Sequence, residues 1–144
     1  MCGAVRYELN SEPLEAGWCH CRTCQLWSGA PAMAFFGVPG ADFRWTKGKP
    51  SWVSSSNFAR RAFCADCGSP LQVHAEFQPD TVDIPIASLD EPDAVKPSFH
   101  IFWASKVDWF DPGDDLPKND RFRPDTRGLE GIEPPDGSSL VGGA

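Results

Sequence analysis

Arg61-Ala62-Phe63-Cys64-Ala65-Asp66-Cys67-Gly68-Ser69-Pro70-Leu71 is the stretch that decides how this chain folds. A strand-like run over 60–64 enters it, and another over 71–75 leaves it. Between them, Cys-x-x-Cys-Gly reads as a zinc knuckle. Its glycine permits the positive φ that turns backbone N–H groups toward a sulfur. A knuckle supplies two ligands of a tetrahedral shell and needs a second pair from elsewhere. Cys2 can be one of that pair, and the sequence offers no obvious fourth. Other readings compete. A redox dithiol of thioredoxin type opens a helix in a βαβ unit, whereas Gly68, Pro70 and a strand-like run follow here. Six cysteines allow fifteen disulfide pairings if the protein is exported. Inert buried cysteines explain single residues, not clusters at ligand spacing.

A second cluster lies upstream, Cys19-His20-Cys21-Arg22-Thr23-Cys24. On an extended segment, residues i and i+2 point to the same face, so Cys19 and Cys21 can aim both sulfurs at one point. A turn then returns Cys24. Three thiolates within six residues suit a tetrahedral ion with one position open, which separates catalytic zinc from structural zinc. Cys19, Cys21 and Cys24 are therefore the candidate catalytic residues. The candidate metal ligands are Cys2, Cys19, Cys21, Cys24, Cys64 and Cys67. His20 is predicted to face away from the shared ion, exposed or locally bonded, with a supporting or substrate-contact role left open. His74 and His100 fall in strand-like runs and read as core or half-buried histidines. Trp18, Trp27, Phe35, Phe36, Trp45, Trp52, Trp103 and Trp109 read as core rather than as a stacking platform.

The rest of the chain is consistent with a mostly β domain. Alternation over 4–9 sets Val5, Tyr7 and Leu9 on one face, and 33–38 is a continuous apolar run of buried-strand type. Further strands are predicted at 43–45, 51–54, 82–86 and 99–103. Fourteen prolines and thirteen glycines leave no window with a clean helical period, although 93–96 could form one helical turn. At 144 residues and 41% hydrophobic content, the chain suits one domain. A net charge of -7 argues against a duplex nucleic-acid binder. No apolar run is long enough to span a membrane, and the first residues lack the apolar run of a signal peptide. The expected compartment is the reducing cytoplasm, where cysteine clusters read first as metal ligands.

Several segments together resemble the glutathione-dependent formaldehyde-activating enzyme family, which shares its domain with centromere protein V. They are Cys-Gly-Ala-Val-Arg-Tyr-Glu at 2–8, Cys-His-Cys-Arg-Thr-Cys at 19–24, Ser-Gly-Ala at 28–30 and Arg-Ala-Phe-Cys-Ala-Asp-Cys-Gly-Ser-Pro-Leu at 61–71. Ala-Ser-Leu-Asp at 87–90, Pro97 to Ile101 with His100, Lys106, Trp109 and Asp-Asp-Leu-Pro at 114–117 extend the likeness to about residue 120. The resemblance implies a β-tent fold of small antiparallel sheets around a zinc site, over 1–127. A loosely held C-terminal tail is expected over 128–144, where Gly, Pro and Ser dominate.

The resemblance further implies a structural zinc on Cys2, Cys64 and Cys67. The family's first cysteine would stand two positions before Cys2, so this site is expected to be weak, water-completed or disulfide-linked in the chain as given. A second, labile zinc is implied at Cys19, Cys21 and Cys24. The implied activity is addition of glutathione to formaldehyde, giving S-hydroxymethylglutathione, which is a carbon–sulfur lyase read in reverse. Zinc lowers the pKa of a bound thiol and places the thiolate beside a small electrophile. The expected partner is a small-molecule thiol such as glutathione, and Arg22 is the candidate to meet its carboxylate, against the alternative of an exposed arginine with no partner. The competing function is a non-catalytic zinc-stabilised binding module. Fold alone cannot separate the two; the second cysteine cluster favours the enzyme, because a scaffold requires one closed site.

Overall fold

The protein's structure is a computed structural model that describes residues 1–126. Nine strands and one short helix are present there: β1 (Arg6–Leu9), β2 (Glu15–Cys19), α1 (Arg22–Ser28), β3 (Met33–Pro39), β4 (Phe43–Lys47), β5 (Ser51–Ser54), β6 (Ala59–Phe63), β7 (Pro70–Ala75), β8 (Thr81–Pro85) and β9 (His100–Ile101). The mostly β expectation holds. A larger sheet runs β5-β6-β7-β8-β3-β2-β9, and β1 pairs with β4 in a second, two-stranded sheet. All neighbours are antiparallel except β2 and β9, which run parallel.

The apolar run of β3 has a period of two with a different core on each face. Met33 and Phe35 join one buried cluster with Val73, Phe99, Ile101, Phe102 and the three cysteines of 19–24. Phe36 and Val38 join the other, with Ala16, Val82, Ile84 and Ile86. A strand buried on both faces needs apolar side chains at every position, which is why this stretch does not alternate. The β1–β4 ribbon covers the second cluster, with Tyr7, Leu9 and Phe43 packed against it.

The sheet register carries the first face across the molecule. Cys19 lies opposite Met33, and Gly17 opposite Phe35. Gly37 lies opposite Asp83, Asp83 opposite Val73, and Val73 opposite Arg61. Paired residues share a face, so Arg61 and Cys19, more than forty positions apart in sequence, stand on the same side of one sheet.

Several expectations are corrected. The helix α1 occupies the segment read as a simple turn, and β2 was not predicted. The run at 99–103 keeps only two residues of strand, because Phe102 takes a left-handed φ of 56° and the chain turns into a short 3-10 helix. The helical turn expected at 93–96 lies at Pro92–Ala94, with proline in its favoured first position. Trp109 is 77% exposed and Trp52 42% exposed, so neither belongs to the core. The boundary at 127 and the tail over 128–144 lie outside the described residues.

Candidate functional site

Strand β2 delivers Cys19 into the interior. Cys21 keeps an extended backbone, caps the N-terminus of α1, and accepts the Cys24 N–H on its sulfur at 3.4 Å. The first turn of α1 thereby brings Cys24 back, and the three sulfurs lie within 4.8 Å of one another. The i, i+2 geometry read from the sequence is present, and all three residues are buried. At seven residues, α1 is too short to stand on propensity alone. Gln25 ties it down: its side-chain amide donates to the carbonyls of His20 at 2.8 Å and Ser105 at 3.1 Å. Gly29 closes the helix in the left-handed region, its N–H on the Gln25 carbonyl.

Arg61 reaches this cluster from β6. Its Nη2 donates to the Cys24 sulfur at 3.3 Å and its Nε to the Ser55 hydroxyl at 3.0 Å. The residue is 5% exposed, its guanidinium lies over the Trp27 ring at 5.7 Å, and its Nη1 has no hydrogen-bond partner. A buried cation needs an opposite charge, and the sulfurs supply it. Hydrogen bonds from Cys19 and Cys21, helped by the Arg61 charge, hold the Cys24 thiol well below the usual range. Its bonds with Cys21 and Cys24, then burial, push Cys19 well above it. The bond with Cys19 pulls Cys21 down, but the bond with Cys24 and burial outweigh it and lift the thiol to about 12. Sequence reading passed over Arg61. Its signal was parity: on β6 it shares a face with Ala59 and Phe63, while Arg60 points to solvent.

His20 faces away from the sulfurs, as alternation requires, but it is fully buried rather than exposed. The parallel pairing of β2 with β9 sets its Nε2 at 2.8 Å from His100 Nδ1, and His100 Nε2 lies 3.0 Å from Asp114. The carboxylate accepts from His100 Nε2. Burial first, then the charges of His100 and Lys106, lower the His20 pKa to about 4. Arg22 is exposed at the start of α1, its Nη1 donating to Gln25 Oε1 at 3.3 Å. His74 is half-buried and His100 buried, as read from their strand positions.

The second cluster joins the chain's start to the loop between β6 and β7. The sulfurs of Cys2, Cys64 and Cys67 lie within 4.8 Å of one another, with Cys2 and Cys64 at 3.6 Å. Gly68 has a φ of 75°, and its N–H closes the turn on the Cys64 carbonyl at 2.8 Å. The hydroxyl and N–H of Ser69 lower the Cys67 pKa to about 6. The N–H of Ala4 pulls Cys2 down, but its bonds to Cys67 and Cys64 outweigh it and leave the thiol raised. Each group of three could hold a metal ion, and among the described residues neither gains a fourth Cys, His, Asp or Glu. All six cysteines are free of disulfides.

Comparison with known proteins bears on these clusters. The family model described as glutathione-dependent formaldehyde-activating enzyme matches residues 1–105. An uncharacterized lyase of Schizosaccharomyces pombe is 36% identical over 73 residues, which is 49% of this chain and 51% of that protein. The chain thus spans about half the length of the curated relative it matches. A solved structure of a Rhodobacter sphaeroides protein superposes with a TM-score of 0.53 at 21% identity, covering 67% of this chain and 92% of that one. That likeness speaks to the fold.

Proposed function

Because the chain belongs to the glutathione-dependent formaldehyde-activating enzyme family, we propose that it is a zinc-dependent carbon–sulfur lyase. It joins or splits a thiol, such as glutathione, and formaldehyde or a related small electrophile. The observation that carries this reading is the buried set of Cys19, Cys21 and Cys24, separate from a second cysteine cluster that suffices as a scaffold.

Zinc fits the donor sets. With Zn–S near 2.3 Å, the sulfurs of a tetrahedral shell stand about 3.8 Å apart. Cys2 and Cys64 stand at 3.6 Å, far beyond a disulfide bond and close to that edge. Cys2, Cys64 and Cys67 hold the structural ion in this reading, and Cys19, Cys21 and Cys24 hold the reactive one. Zinc at the reactive set supplies a Lewis acid that lowers the pKa of a substrate thiol. The protein's own contribution is positional. Arg61 would balance the one negative charge that three thiolates leave uncompensated by a divalent ion, and Phe35, Phe102 and Phe122 line the adjoining space. Arg22, exposed on the same turn, meets a carboxylate of the thiol's body. The setting is the cytoplasm, where thiols stay reduced. No helix among the described residues is long and apolar enough to cross a membrane.

The test is exchange NMR of the adduct formed from glutathione and formaldehyde, since the uncatalysed reaction is also fast. Zinc-loaded wild type is expected to accelerate exchange, and Cys21→Ser to keep the fold but not the acceleration. Equal rates would sink the lyase reading for this pair and put the binding module ahead.

A further inference from the structure

The cysteine set of 19–24 opens on a cavity of about 90 Å³. At roughly 30 Å³ per water molecule, it holds about three waters. That suits an electrophile of one or two carbons and excludes a tripeptide, whose body must stay outside while its sulfur enters. The walls are mainly apolar and aromatic, with Phe35, Phe58 and Phe77 among them. Two residues of the lining, Arg61 and Thr23, each carry a buried polar atom with no hydrogen-bond partner, Nη1 and Oγ1. The carboxylate in the lining, Asp83, has a partner of its own. Native interiors rarely leave a guanidinium donor unpaired, because an unsatisfied buried group costs its full desolvation. Nη2 and Nε of Arg61 are already used by Cys24 and Ser55. Charge balance for the thiolates therefore does not account for Nη1.

We infer that Arg61 is a catalytic residue whose Nη1, with the Thr23 hydroxyl, receives the oxygen of a small carbonyl electrophile beside the three cysteines. The inference rests on the lyase reading above. Attack of the substrate thiolate on the carbonyl carbon forms the C–S bond. The π pair of C=O moves to oxygen, giving an alkoxide, which takes a proton from water to yield the hemithioacetal. No electron enters or leaves the protein. The developing charge sits on oxygen, so a fixed cationic donor in an apolar cavity lowers the barrier more than the same donor in water. In the reverse direction the same donor stabilises the alkoxide that collapses to carbonyl and thiolate.

Formate, a one-carbon anion of the right size, is the probe, used with zinc-loaded full-length chain. It is expected to shift the Arg61 Nε–H resonance, identified by its loss in Arg61→Lys, and to compete with formaldehyde in the exchange assay. Arg61→Lys keeps the charge but loses the planar donor set. It is expected to retain its zinc and lose on the order of a hundredfold in kcat. An Arg61 resonance that formate leaves unmoved overturns the inference whatever the activity, as does full kcat in a zinc-replete Arg61→Lys. A formate-induced shift in a protein with no exchange activity upholds the oxygen-binding pair and defeats the lyase reading instead. Should Arg61→Lys shed zinc or unfold, the titration of wild type decides alone.

Discussion

Tyr7 is the chain's single tyrosine, so its titration can be read without ambiguity. Its ring stacks on Phe43 at 5.3 Å and meets the edge of Trp45 at 6.2 Å, while its hydroxyl lies 2.7 Å from Ser88 Oγ. Burial pushes the phenol up from its ordinary value of 10.0, and the Ser88 hydrogen bond offsets part of the rise. The native state therefore holds a proton that the unfolded chain has released. Its contribution to stability is complete below pH 10 and is lost as pH rises through the raised native value. Absorbance titration of the phenolate should give a higher midpoint in native protein than in urea-unfolded chain. Tyr7→Phe should remove that alkaline step and cost about 1 kcal/mol at neutral pH through the lost hydrogen bond. A native midpoint at or below the unfolded one would contradict the burial of this ring.

Two turns at the element scale both demand a left-handed residue, but with different surroundings. Gly68, in the loop between β6 and β7, has open space where a Cβ would stand. Gly48, between β4 and β5, would drive a Cβ into the carbonyl oxygen of Ala4. The conformational penalty of roughly 1–2 kcal/mol applies to alanine at either position. At Gly48 the backbone of the first strand's approach must also move. Gly48→Ala is thus expected to lose clearly more stability than Gly68→Ala in urea denaturation. A reversed order would mean that the β1–β4 ribbon gives way easily. The ribbon covers the core of Phe36 and Ile84, so such slack would expose it.

Across the whole molecule, the two cysteine groups close loops of very different length. Cys19, Cys21 and Cys24 lie within one local turn, whereas Cys2 and Cys64 are 62 positions apart. Crosslinking distant positions removes more freedom from the unfolded chain, and binding to a site absent from that chain is folding energy. Cys64→Ser should therefore lose one zinc per chain with a marked fall in Tm. Cys21→Ser should lose the other with a smaller fall, since sheet pairing and the Gln25 bridges already hold its loop. Metal analysis with calorimetry separates the two. Stripping zinc with a chelator should lower Tm, and adding zinc back should restore it. Unchanged Tm on stripping would remove the metal from the account of stability.

What the sequence determined by itself was local. Runs of alternating or continuous apolar residues marked eight of the nine strands, and the short spacings within 19–24 and 64–67 announced two thiol clusters. Backbone period and reach link such residues without help from the rest of the chain. The strand Glu15–Cys19 went unread because Glu-Ala-Gly-Trp-Cys has no β-branched residue and a central glycine; its neighbours β3 and β9 hold it extended. The helix α1 was hidden for the same kind of reason, being too short to show a period. Only the tertiary structure decided that Arg61 meets Cys24, that His20 is buried against His100, and that a small cavity lies between the cysteines and the aromatic wall. Each of these depends on strand order and register, which arise from contacts between distant segments. A parallel pairing two residues long and a row of paired strands from Arg61 to Gly37 leave no periodic mark on the sequence.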